Sequence, residues 1–383
     1  MNFDFTEEQL GLESTLQRFL AKDYSFEQRK ALLRNEDGFS RQAWATYAEL
    51  GLLALPFPES CGGLDGTAVD TYLVMRNLGR GLALEPYLAT VVLCGSLLRD
   101  FATAQQKLDM LPAIAAGESM LALAHYEPQA RHNESRIAAR ATETADGWVL
   151  NGHKCAVLHA GAADHVLVSA RHEGEEDDEE GVSLFLLPRN SAGLTLKSWV
   201  NHDGTRSADI VLNKVQAGRE QLIGTPGAAL PAIRHAIATA CAAAAAEATG
   251  IMQALIEATL EYLKTRKQFG VPLSTFQALQ HRLADMAIAA EQADSMALLA
   301  AIEMQNPDPA ARIRQASGAK AFVSEYARKV GQEAIQLHGG IGVTDELQVA
   351  HYFKRITTLN MLFGDADYHL RRYSETMEAC DEQ

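Results

Sequence analysis

The chain has no cysteine pair at metal-binding or redox spacing. Its five cysteines, Cys61, Cys94, Cys155, Cys241 and Cys380, are scattered, with no C-x-x-C among them. That pattern excludes a disulfide frame and a zinc ribbon, and it predicts free, mostly buried thiols in a reducing cytoplasm. Positive charge is also scarce: 34 Lys and Arg stand against 49 Asp and Glu, for a net −15. Without a basic stripe the chain has no footprint for nucleic acid or for an anionic membrane surface. Seven of the acids fall in "EGEEDDEE" at 173–180, which reads as a solvated loop. The N-terminal "MNFDFTEEQL" lacks the basic and apolar regions of a signal peptide. No apolar run reaches the roughly 18 residues of a membrane helix, so no span is expected. G-x-G-x-x-G, the P-loop and the G-x-S-x-G elbow are all missing, and the helical C-terminal part has no Glu-x-x-His pair for a di-iron site. No metal is expected.

What is present divides into three segments. Residues 1–120 have helical periodicity. "TEEQ" at 6–9 is a capping box, and "RQAWATYAEL" is a helix that stops at Gly51. Residues 121–225 change to short β-branched runs such as "ADHVLVSAR", "GVSLFLLP" and "SADIVLNKV". Asp146-Gly147 and Asn151-Gly152 both read as turns there, so the segment predicts a small, mostly antiparallel β domain. Residues 226–383 return to long helical runs with short connections, the pattern of an antiparallel four-helix bundle. The fold class is therefore α+β: an N-terminal helical domain, a middle antiparallel β domain and a C-terminal bundle.

One stretch is odd. "CAAAAAEATG" at 241–250 sets a single carboxylate, Glu247, in a run of alanines. Alanine favours helix and presents little surface, so neighbours pack closely against such a run. A carboxylate buried there without a partner costs several kcal/mol. Either the helix turns Glu247 to water or to a partner, or the residue has a chemical task.

Three motifs bear on that choice: "TRKQFGVPLSTFQALQHRLADM" at 265–286, "QLHGGIGVTDELQVAHYFKR" at 336–355 and "LFGDADYHLRR" at 362–372. Together they resemble the acyl-CoA dehydrogenase family over the whole length, most of all the bacterial pimeloyl-CoA and steroid side-chain branch built from unlike subunits. The resemblance implies FAD, an acyl-CoA substrate and an electron-transferring flavoprotein as acceptor. It also implies a homo-oligomer (dimer or tetramer) or a heterotetramer with a second dehydrogenase subunit. Arg266, Gln268 and Phe269 fall on the Arg-x-x-Phe-Gly loop, which in the family meets the flavin of a neighbouring subunit. Gln336 and Gly340 fall on the glycine-rich dinucleotide contact, and Gln277 on a further cofactor neighbour. His125 and Tyr126 fall where the main chain holds the flavin ring. Leu158 stands where a hydroxyl often faces the flavin, and Ala156 where a Trp often covers it.

Removing the α-proton of a thioester while the β-hydride departs requires a carboxylate base. The family's usual Glu position is Gly364 here, and its second location, counted back from Arg266, is Ala240. Glu247 lies seven residues after Ala240, on nearly the same helical face, and the unlike-subunit branch places its base on this helix. Glu247 is the first choice for the base and Asp365 the second. A non-catalytic or half-site subunit, with weakened flavin contacts at Ala156 and Leu158, is the alternative.

Overall fold

The computed structural model describes residues 5–381. The N-terminal segment supplies six helices: α1 (Glu7–Asp23), α2 (Phe26–Leu32), α3 (Arg41–Glu49), α4 (Ala68–Gly81), α5 (Gly95–Phe101) and α6 (Ala104–Ala115), with a π-helical turn over Leu88–Cys94. Local chemistry sets their ends. Thr6 and Gln9 form a reciprocal capping box on α1, Thr103 and Gln106 repeat it on α6, and Ser40 caps α3. Gly51, at φ 74°, ends the turn after α3, as the sequence predicts.

The middle segment is a single sheet. Its strands are β1 (Leu121–Ala124), β2 (Arg140–Thr144), β3 (Gly147–Leu158), β4 (His165–Arg171), β5 (Val182–Pro188), β6 (Leu194–Val200), β7 (Arg206–Gly218) and β8 (Leu222–Ile223). The order is β6-β7-β3-β2-β4-β5-β8, with β1 added parallel to β4; most pairings are antiparallel. The turn of the β2–β3 hairpin is Ala145-Asp146, and Gly147 opens β3 paired with Thr144, one residue off the Asp146-Gly147 reading. Asn151-Gly152 does not turn the chain. It lies inside β3 at a register shift, where Asn151 Oδ1 accepts from the Lys214 amide at 2.9 Å. Glycine is needed there because a Cβ at 152 would lie 2.4 Å from the Ala139 Cβ.

The C-terminal segment contains α7 (Leu230–Thr265), a two-residue hairpin of β9 (Lys267–Gln268) and β10 (Val271–Pro272), α8 (Gln277–Glu303), α9 (Pro309–His338), α10 (Gln348–Met361) and α11 (Ala366–Asp381). By length and composition α7 could cross a membrane, but 83% of its most apolar window is buried inside the protein, as in a core helix.

Packing divides the chain differently from the sequence order. One compact unit combines the segment up to Leu32, Ala68–Ala83 and everything from Cys241; the other holds Leu33–Thr67 and Leu84–Ala240. In the first, α1, α2 and α4 join the bundle: Gln9 reaches Asp70 at 3.0 Å, and the Tyr72 hydroxyl donates to Asp294 on α8 at 2.7 Å. Burial and the Asp294 charge push the Tyr72 hydroxyl up. Within the second unit, the Trp44 indole N–H donates to the Gly117 carbonyl at 3.1 Å, tying α3 to the end of α6. Cys61, Cys94 and Cys241 are buried thiols and Cys155 is half-buried, while the Cys380 side chain lies outside the described residues.

Candidate active site

The alanine run brings α7 and α4 to backbone distance. A Cβ on Gly250 would lie 1.8 Å from the Arg76 carbonyl oxygen, so only glycine fits. Ala242, Ala243, Ala244, Ala245, Ala246 and Ala248 are all buried. Glu247, in their midst, is 5% exposed. It does not face water. Arg355 on α10 grips it side-on, with Nε 2.6 Å from Oε1 and Nη2 2.9 Å from Oε2. A carboxylate buried this deeply needs such a partner, and the charge-assisted two-bond grip provides it. Sequence reasoning missed Arg355, although it is the last residue of the 336–355 motif.

The usual base position is closed. Gly364 sits at φ 120°, and a Cβ there would lie 2.4 Å from Tyr368 Cδ1 and 2.9 Å from His369 Nε2. The surrounding loop is also held in place. The buried Lys320 ammonium donates to the carbonyls of Leu359 (2.9 Å), Asn360 (3.3 Å) and Gly364 (3.3 Å), and to Ser324 Oγ. Burial pushes the Lys320 amine down to about 8. Asp365 is exposed, and its Oδ1 accepts from the Tyr368 amide at 2.8 Å. That is an N-cap of α11, a structural task that competes with any role as base.

The residues expected to touch the cofactor fall in two groups. Arg266, Gln268, Phe269, Gln277, Gln336 and Gly340 are all exposed and all belong to the unit containing the bundle. Phe269 and Gly270 form the tip of the β9–β10 hairpin at φ 56° and 83°, the primed geometry of a two-residue turn. A left-handed conformation is costly for a bulky residue, yet Phe269 adopts it with its ring 91% exposed. Tyr262, one turn before Arg266, stacks on His338 at 4.5 Å, which brings the hairpin motif beside the glycine-rich motif. At Gly339 and Gly340 the backbone faces open space. An exposed guanidinium, an exposed aromatic face and uncovered backbone are the chemistry a dinucleotide requires. On this side the residues fit FAD.

The second group lies in the β domain. His125 is buried, its Nδ1 3.0 Å from Ser169 Oγ. Beside it Lys154 Nζ contacts the Glu127 carboxylate at 2.6 Å, the His125 carbonyl at 3.1 Å and Ser169 at 3.1 Å. Burial pushes the Lys154 amine below its usual range. For Glu127 burial acts upward, but Lys154 and the amides of Ala138 and Ala139 outweigh it and hold the carboxyl low. The pair is a buried ion pair that pins the segment just after β1, where His125 and Tyr126 lie. Leu158 is half-buried and faces Ser207 across the β3–β7 pairing. The bulge before it puts Ala156 at φ 53°, with its amide donating to Asp209 Oδ1 at 3.3 Å. Ala156 therefore gives neither a side-chain shield nor a free donor to a flavin, and this part of the site fits less well.

Three family models cover nearly the whole chain: the acyl-CoA dehydrogenase N-terminal domain over residues 6–118, the middle domain over 122–215 and the C-terminal domain over 228–377. The probable acyl-CoA dehydrogenase YngJ of Bacillus subtilis is 33% identical over 354 residues, spanning 91% of this chain and 92% of that protein. Among solved structures, the FAD complex of PigA superposes with a TM-score of 0.91 at 26% identity, covering 99% of each chain. A variant of the Tcur3481-Tcur3483 steroid ACAD superposes with a TM-score of 0.88 at 27% identity, covering 98% of this chain and 99% of that one.

Proposed function

Because the chain belongs to the acyl-CoA dehydrogenase family of FAD-binding oxidoreductases, we propose that it converts a saturated acyl-CoA to the trans-2-enoyl-CoA with Glu247 as the base. The observation that carries this reading is the pairing of a buried carboxylate on α7 with a closed Gly364. FAD, when bound, supplies the acceptor for the hydride that leaves the β-carbon. Glu247 takes the α-proton, and the electron pair of that C–H bond becomes the new carbon–carbon π bond. Arg266, Gln268, Phe269, Gln277, Gln336 and Gly340 serve the flavin of a neighbouring copy, and the main chain at His125, Tyr126 and Leu158 serves the chain's own. An electron-transferring flavoprotein then takes the two electrons. The assembly is a dimer, a dimer-based tetramer or a heterotetramer; the two-component name of the steroid ACAD relative supports the last of these.

A second reading draws on specific observations. The two-bond grip of Arg355 would suit a strut between α7 and α10, and Ala156 with Asp209 leaves the flavin poorly covered. Both suit a subunit that supports a catalytic partner. Purified protein separates the readings. The enzyme is yellow with bound flavin and loses that colour when an acyl-CoA is added without oxygen. A supporting subunit alone does not bleach.

A further inference from the structure

We propose that Arg355 is a positioning residue for the reaction: it holds the Glu247 carboxylate in the one orientation from which it can take the α-proton. The proposal rests on the reading of Glu247 as base. An ionised carboxylate offers about four lone-pair directions over its two oxygens. Arg355 uses one on each, at 2.6 and 2.9 Å. The remaining directions are free for the proton, and the planar fork fixes where they point. Nothing on α7 itself could do this, since the residues one turn from Glu247 are Ala243, Ala244, Gly250 and Ile251. Arg355 is itself steadied. Its side chain is 12% exposed, and α10 is anchored on both flanks: the Tyr352 hydroxyl donates to the Arg80 carbonyl at 2.5 Å, and Lys320 holds the carbonyls at the helix's end. In the step, the α-carbon–hydrogen bond breaks and an oxygen–hydrogen bond forms on Glu247. The ion pair loosens as the carboxylate charge is neutralised.

The test reads proton removal separately from hydride transfer. The holo-protein, its flavin first reduced, is incubated in D2O with butyryl-CoA, octanoyl-CoA or palmitoyl-CoA, and deuterium at the α-carbon is followed by mass spectrometry. Arg355→Met should slow exchange by about 10²-fold, the scale of a misplaced reacting group, with KM little changed. Arg355→Lys, which keeps the charge but loses the fork, should recover part of the loss. In the Glu247→Gln background, Arg355→Met should cost nothing more, because it acts only through Glu247. Arg355→Met leaves an unpaired buried carboxylate and so risks unfolding. Arg355→Lys and the double variant, which has no buried charge left alone, then carry the comparison. Wild-type exchange in folded Arg355→Met or Arg355→Lys overturns the proposal, as does an equal loss with and without Glu247. Exchange at the wild-type rate in Glu247→Gln instead removes Glu247 as the base, and wild-type protein that exchanges none of the three thioesters removes both.

Discussion

The Cβ that Gly79 lacks would lie 2.0 Å from the carbonyl oxygen of Glu247. Helices α4 and α7 therefore touch backbone to backbone at the residue proposed to do the chemistry. A methyl group at 79 must push α7 away, and overpacking of this kind costs about 1–3 kcal/mol. Gly79→Ala should lower the urea midpoint with an unchanged slope. An unaltered midpoint would mean the helices do not approach this closely.

The closed geometry at Gly364 makes a second prediction. Moving the base to the family's usual position with Gly364→Glu should fail to rescue Glu247→Gln, because Tyr368 and His369 occupy the space a side chain would need. Even Gly364→Ala should reduce the thermal midpoint, since φ 120° suits only glycine. Recovery of flavin reduction in the Gly364→Glu, Glu247→Gln double variant would show that the loop opens.

Flavin retention depends on exposed side chains that the bundle does not need. Arg266 is exposed and lies between the end of α7 and the hairpin. Arg266→Ala should lose FAD, measured by the ratio of visible to ultraviolet absorbance, while circular dichroism and melting of the apo-protein stay unchanged. Stoichiometric flavin at wild-type affinity would remove Arg266 from the cofactor site.

His125 predicts a pH dependence of stability. Burial, then the charges of Lys154 and Arg234, push its imidazole down to about 3, against a smaller upward pull from a backbone hydrogen bond at Glu134. The folded protein keeps His125 neutral, whereas the unfolded chain binds a proton near pH ~6.5. Stability from this group is intact above about pH 6.5 and is lost as pH falls from there towards the folded value. His338 and His351, also lowered mainly by burial, act in the same direction. His125→Gln should therefore flatten, without abolishing, the fall in stability between about pH 6.5 and 5. An unchanged slope would place His125 outside the titrating set.

Much of the fold could be read from the sequence because its cause is local. The capping box at Thr6 and the stop at Gly51 follow from neighbours a few residues apart. The acidic run at 173–180 was legible only in part. Its side chains meet solvent, but the carbonyls of Glu176, Asp178 and Glu180 wrap the buried Arg171 guanidinium. Asn151-Gly152 has the composition of a turn but lies at a register shift against β7, where the Lys214 amide, 63 residues on, donates to the Asn151 side chain. The partner of Glu247 was hidden for the same reason. Arg355 is 108 residues away, and helical periodicity carries no information about which charge on another helix it will meet. The joining of α1, α2 and α4 to the bundle is likewise a matter of tertiary packing.

The central claim is that Glu247 removes the α-proton. Rapid mixing of oxidised holo-protein with an acyl-CoA that bleaches the wild type, under anaerobic conditions, measures that step directly. Glu247→Gln keeps the side chain's shape and should slow bleaching by about 10²–10⁴, with flavin content and substrate affinity little changed, while Asp365→Asn bleaches at the wild-type rate. Normal bleaching in Glu247→Gln with loss in Asp365→Asn would move the base to the start of α11, and normal bleaching in both would contradict the account.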